Sequence, residues 1–201
     1  MNRRDILFSI TTGLTTGLIF WRVFNYLDIH PFGLDSFSFL VVLIPVLWVI
    51  GVWFGYFLSN WFRFFRQFGK FVAIGFTNSA IDFGVFNFLF SLSKENQSLF
   101  PVFSVISFIL AVNHSYFMNK WWAFDAGNTP TTFKQIRNFV AINLVALVVN
   151  VGIAFAVFHG VPALFGLNIK SWANISKVAG SAVALIFSFI GFRLVVFNKF
   201  R

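Results

Sequence analysis

Residues 71–90 run FVAIGFTNSAIDFGVFNFLF, and residues 139–158 run FVAINLVALVVNVGIAFAVF. Each is an apolar stretch of about 20 residues, the length an α-helix needs to cross the hydrocarbon core of a bilayer. Laid in register, Phe71-Val72-Ala73-Ile74 falls on Phe139-Val140-Ala141-Ile142, Asp82 on Asn150, Gly84 on Gly152 and Phe90 on Phe158. The helices that follow also match at their far ends, where Ser115, Lys120 and Phe124 answer to Ser188, Arg193 and Phe197. A two-helix unit is thus written twice, over 68–125 and 136–198. Because each unit crosses the membrane twice, both begin on the same side, which makes this a parallel repeat about an axis along the bilayer normal.

Outward from this repeat, the same length criterion gives six spans in all, at 6–27, 39–61, 71–90, 102–122, 139–158 and 176–197. The expected fold class is an all-α membrane protein with six transmembrane helices, two N-terminal ones in residues 1–62 and a duplicated four-helix domain in 63–201. The composition agrees: 58% of the chain is hydrophobic and 10% charged, with a mean hydropathy of +0.82, whereas soluble domains carry about 25% charged residues. The first span follows Asn2-Arg3-Arg4 and runs on to Trp21 and Arg22 without a small-x-small cleavage site, so it is taken as a retained helix. The connectors are short and carry Gly127, Pro130, Gly160, Pro162 and Gly166, residues that punctuate loops. None has room for a catalytic domain.

The formal charge is +9, but the cations sit at the ends of apolar runs and form no stripe suited to nucleic acid. With the amino terminus in the cytoplasm, the inner side collects Arg3, Arg4, Arg63, Arg66, Lys70, Lys120, Lys134, Arg137, Arg193, Lys199 and Arg201, while the outer loops hold only Lys94 and Lys170. This bias puts both termini in the cytoplasm of a multi-pass inner-membrane protein. Residues 61–68 alternate aromatic rings with arginines and are expected to lie along the inner interface. The absence of cysteine excludes disulfides and thiolate chemistry. His30, His114 and His159 have no carboxylates at ligand spacing, and no phosphate loop or paired acids are present. The sequence therefore offers no catalytic residues, no metal site and no cofactor.

The polar residues within spans are the functional candidates, because an ionisable group near the bilayer centre costs about 2.5 to 3.5 kcal/mol on insertion scales. At about 1.5 Å rise per residue, Asp82, Asn113, His114 and Asn150 all fall roughly 15 to 18 Å from the inner ends of their helices, a shared depth that would make a polar cavity. Asn78 is one turn from Asp82 on the same face, and Lys177 lies in the outer half of the last span. The rival reading of Asn78, Asn113, His114 and Asn150 is hydrogen-bonded glue between helices. Lys120 and Arg193 stand where a lipid phosphate would accept charge-assisted hydrogen bonds, with Trp121 and Trp122 beside Lys120 to pack on a sugar or a prenyl chain. Their rival reading is snorkelling cations in an aromatic belt.

The opening Phe71-Val72-Ala73-Ile74-Gly75, the central Asp82, the closing Asn119-Lys120-Trp121-Trp122-Ala123-Phe124 and the duplication together resemble the GtrA-like family over about two-thirds of the chain. The second unit departs from the pattern, closing as Phe192-Arg193-Leu194-Val195-Val196-Phe197, and the first two helices are additions to the minimal unit. The resemblance implies handling of polyprenyl phosphate or a polyprenyl-phosphate-linked sugar in cell-surface polysaccharide synthesis, with Asp82, Asn78, Asn113, His114, Asn119, Lys120, Trp121, Trp122, Asn150, Lys177 and Arg193 as substrate-binding candidates. Three readings stay open: translocation of the lipid-linked sugar, a non-catalytic accessory subunit of a membrane glycosyltransferase, and a small proton-coupled transporter titrating at Asp82. Membrane lipids, a glycosyltransferase and a second copy of the chain are the partners these readings call for. Gly13-x-x-x-Gly17 permits a close helix approach that would serve assembly.

Overall fold

The computed structural model describes residues 1–27, 37–94, 97–162 and 169–197 of the chain. Among the described residues the fold consists of six α-helices: α1 (Arg3–Tyr26), α2 (Leu40–Leu58), α3 (Phe65–Leu92), α4 (Phe100–Met118), α5 (Phe133–Gly160) and α6 (Ile169–Gly191). Four of them, α1, α2, α3 and α5, are long and apolar enough to cross a membrane, and residues Ala182–Val196 form a shorter apolar helical stretch. The connector at 27–38 and the loop beyond Pro162 lie largely outside the described residues.

The chain divides into two compact units, Met1–Gly127 and Asn128–Arg201. In the first, α1 packs on α2 and α3, α2 on α3, and α3 on α4. The buried residues of α3 include Lys70, Ala73, Ile74, Thr77 and Ala80, spaced at three and four residues so that they fall on one helical face. Its other faces carry large apolar side chains outward, as Phe76, Phe83 and Phe88 do, the inverse of a soluble bundle and the arrangement that lipid requires. The hydroxyls on the buried side of α1 are satisfied locally: those of Ser9, Thr12 and Thr16 each donate to the carbonyl four residues back, which lets small polar residues sit in an apolar helix. Thr16 also reaches α3, its Oγ1 lying 3.0 Å from that of Thr77.

The Gly13-x-x-x-Gly17 pair is used inside the chain. A methyl group on Gly13 would lie 2.4 Å from the Pro45 Cα, and one on Gly17 would lie 2.4 Å from the Leu40 carbonyl oxygen. The two glycines therefore let α1 lie directly on the backbone of α2. Pro45, which would ordinarily weaken a helix interior, occupies this contact.

Two helix boundaries differ from those expected. Both α3 and α5 begin six residues before the phenylalanine that opens each repeated sequence, at Phe65 and Phe133. Each has 28 residues and so is about 42 Å long, longer than the ~30 Å hydrocarbon layer. Residues 65–68 of the expected interfacial segment are the first turn of α3; of the rings before it, Trp61 and Phe62 are exposed and Phe64 is half-buried. The opening of α5 is capped by Thr132, whose side chain accepts from the Gln135 N–H at 3.2 Å.

In the second unit α5 packs against α6. Phe139 stacks on Phe192 at 4.5 Å between ring centroids, Gly191 brings the α6 backbone against Ile142, and Gln135 donates to the Val196 carbonyl at 3.3 Å.

Candidate functional site

α4 does not end as an α-helix. Residues Asn119–Ala123 form a π turn, in which the Phe124 N–H donates to the Asn119 carbonyl, five residues back, at 2.9 Å. Such a turn admits one extra residue and recurs at functional sites in helices. The turn ends where Asp125 takes φ +50°, a conformation that a short polar side chain tolerates, and the Ala126 N–H then bonds the Lys120 carbonyl at 2.6 Å. The widened turn carries Asn119, Lys120, Trp122 and Ala123 inward. Trp121 stays exposed and stacks on Phe117 at 5.1 Å. α6 ends likewise, with a π turn at Phe192–Val196 and the Phe197 N–H donating to the Phe192 carbonyl at 2.8 Å. There Arg193 is exposed, whereas Lys120 is only 3% exposed; Lys120 thus does not snorkel to the surface.

Asn119 is fully buried. Its amide nitrogen donates to the Ser115 carbonyl at 2.8 Å and approaches the Ser115 hydroxyl at 3.2 Å, while its Oδ1 has no hydrogen-bond partner among the described residues. Turning the amide over would set an oxygen against the carbonyl, so the orphan is an acceptor. A buried acceptor without a donor costs about 1–3 kcal/mol.

Further along the α3–α4 contact stand two polar rungs. The Asn78 Oδ1 and His114 Nδ1 are 2.6 Å apart, and the Ser107 hydroxyl donates to Asp82 at 2.6 Å. The pairing runs up α3 as it runs down α4, as antiparallel neighbours demand. Asp82 is half-buried, and among the residues whose side chains are described it forms no ion pair. From Ser107 to Asn119 the polar positions of α4 span about 18 Å of helix. Asn113 does not join them: it is exposed, and its amide donates to the Ile109 carbonyl of its own helix at 2.8 Å. Asn150 is half-buried on α5 in the second unit, and the side chain of Lys177 lies outside the described residues.

A second polar cluster, which the sequence pattern does not announce, lies at the N-terminal end of α1. Asp5 is 1% exposed. One carboxylate oxygen lies 2.6 Å from Lys70 Nζ and accepts from Trp122 Nε1 at 3.0 Å; the other accepts from the Tyr56 hydroxyl at 2.5 Å. The carboxylate thus ties together α1, α2, α3 and the π turn. Lys70 also lies over the Tyr56 ring, 5.6 Å from its centroid, and Phe8 stacks on Trp122 at 5.5 Å. Beside it, Arg4 pairs with Asp125 at 3.1 Å and donates to the Trp121 carbonyl. The available signal was a lone acid in the opening turn of an apolar helix, but its partners are 51, 65 and 117 residues away. Lys70, one of the inner-side cations, thus also anchors this buried cluster.

A membrane-embedded helical bundle with a paired polar seam along its third and fourth helices is the class of protein this geometry defines. The family model described as GtrA/DPMS, transmembrane domain, matches residues 70–197, and the chain belongs to that family. It is 31% identical over 133 residues to the uncharacterized membrane protein YngA of Bacillus subtilis (strain 168), an alignment covering 66% of this chain and 80% of the relative. No solved structure matches. Helices α1 and α2 lie outside the matched region, so the buried cluster joins the added hairpin to Lys70 and Trp122 of the family domain.

Proposed function

We propose that this protein moves a polyprenyl-phosphate-linked monosaccharide across the inner membrane of a bacterium, for the synthesis or modification of cell-surface polysaccharide, without itself catalysing a covalent step. Family membership supports the lipid-linked sugar as the class of cargo. The observation that carries the mechanism is the polar seam on α3 and α4, from the orphaned Asn119 acceptor through Asn78–His114 to Asp82–Ser107. Its groups would exchange hydrogen bonds with sugar hydroxyls while the prenyl chain stays in lipid, so the headgroup crosses without full desolvation. Lys120 and Arg193 are assigned to the phosphate, and Trp121 to the sugar face or the chain. The duplicated architecture and cytoplasmic termini belong to this proposal. The two π turns, at positions that the repeat register equates, and the positive-inside bias support them.

The test is a sealed-vesicle assay with purified protein and a short-chain fluorescent polyprenyl-phosphate sugar. Transfer between leaflets is expected with the wild type and is expected to fall at least tenfold in Asp82→Asn and in Asn119→Ala. Vesicles that show no transfer above protein-free controls would sink the reading.

One observation favours the accessory-subunit reading: Arg63 and Arg66 in the first unit are exposed, and so are Lys134 and Arg137 in the second, cations that a glycosyltransferase could engage. On that reading Arg63→Glu with Arg66→Glu abolishes sugar transfer by the partner enzyme, while Asp82→Asn leaves it intact. The proton-coupled reading differs from both in requiring that ligand affinity depend on pH and lose that dependence in Asp82→Asn.

A further inference from the structure

Helices α1 and α3 run in the same direction and touch closely at Gly84, where a methyl group would lie 2.5 Å from Ile19 Cγ2. Between them lies a cleft of about 520 Å³, lined by Ile19 and Gly84 and reaching toward both C-terminal ends at Tyr26 and Ser91. Leu18, Ile19, Val23, Val85 and Phe88 make it apolar, and Arg22, Tyr26, Asn87 and Ser91 stand on the same lining. Arg22 is one turn from the end of α1, which sets it at headgroup level in a spanning helix. It is exposed, its guanidinium lies 5.3 Å from the Trp21 ring centroid, and among the described residues it forms no ion pair. The amide of Asn87 and the hydroxyl of Ser91 donate to carbonyls of their own helix, which leaves their oxygens as acceptors.

We propose that this cleft binds one zwitterionic phospholipid, with a hydrocarbon chain in the apolar part, the phosphate on Arg22 and the ammonium toward the ends of α1 and α3. Charge decides the headgroup. The guanidinium selects a phosphate, while the two helix C-termini carry partial negative charge from their carbonyls, which opposes a purely anionic headgroup and favours one that brings its own cation. The site lies between the added helix α1 and the family domain, apart from the polar seam, and is independent of the translocation reading.

The experiment uses the full chain, delipidated in detergent, titrated with dioleoyl phosphatidylethanolamine and read by native mass spectrometry. One lipid is expected to be retained by the wild type, with affinity lowered about tenfold in Arg22→Gln and about as much in Val85→Trp, which fills the apolar part. Circular dichroism confirms that each variant is folded. Equal retention by wild type and a folded Arg22→Gln, or equal binding of dioleoylglycerol without a phosphate, overturns the proposal. Tighter binding of phosphatidylglycerol or of a polyprenyl phosphate overturns the assigned occupant.

Discussion

Asp5 and Lys70 form an ion pair in which both partners are buried, with the remaining carboxylate capacity taken by Tyr56 and Trp122. Such a pair is weak evidence of net stability, since desolvation offsets much of the attraction, but removing one partner strands the other charge at a cost of about 3–5 kcal/mol. Asp5→Ala should therefore lower the unfolding midpoint of the detergent-solubilised protein sharply, and Lys70→Met should do much the same. The pair Asp5→Leu with Lys70→Met is expected to recover most of the loss, because it removes both charges and keeps the volume. A double variant no more stable than either single one would show that the hydrogen bonds to Tyr56 and Trp122 matter more than the pairing. The exposed Arg4–Asp125 bridge, with side-chain exposures of 49% and 83%, should matter little: Asp125→Asn is expected to cost less than about 1 kcal/mol.

At the scale of elements, glycine has two uses in this chain, and they predict opposite outcomes. Gly17 lies on the α2 backbone, whereas a methyl on Gly51 would meet nothing within 4 Å. Gly17→Leu should force α1 off α2 and lower the melting temperature, by an amount at or above the ~1–3 kcal/mol of an overpacked core. Gly51→Ala should be neutral or slightly stabilising, since it gains helix propensity and displaces nothing. A thermal melt of the two variants side by side is the check, and a Gly17→Leu protein as stable as wild type would mean that the α1–α2 contact is not close-packed. The helices themselves were legible in the sequence because runs such as 71–90 are apolar throughout and of spanning length. What the sequence hid was the pairing. Asn113 and His114 are neighbours of the same polarity, yet the helical rotation of about 100° between them points one outward and the other to Asn78. The π turn was equally invisible: Asn119–Ala123 has no composition that distinguishes it from an α-helical end, and the matching turn at Phe192–Val196 leaves Arg193 exposed where Lys120 is buried.

Over the whole molecule, the arrangement of the four family helices turns on how many times each repeated unit crosses the membrane. An inverted repeat needs an odd number of crossings per unit, and a parallel one an even number. Each unit contributes two helices and closes on a π turn, and the proposed parallel repeat requires both closing turns to face the cytoplasm. The absence of cysteine makes this directly measurable, because every introduced thiol is the only one. Ser98→Cys, just before α4, and Pro162→Cys, just after α5, should react with a membrane-impermeant maleimide from outside intact cells. Arg63→Cys, before α3, and Asn128→Cys, between α4 and α5, should react only after the membrane is opened. If Asn128→Cys labels from the same side as Ser98→Cys, then α4 does not span. The second unit would then enter from the opposite face, and the seam built on Asp82, His114 and Asn119 would have no through-membrane path to serve.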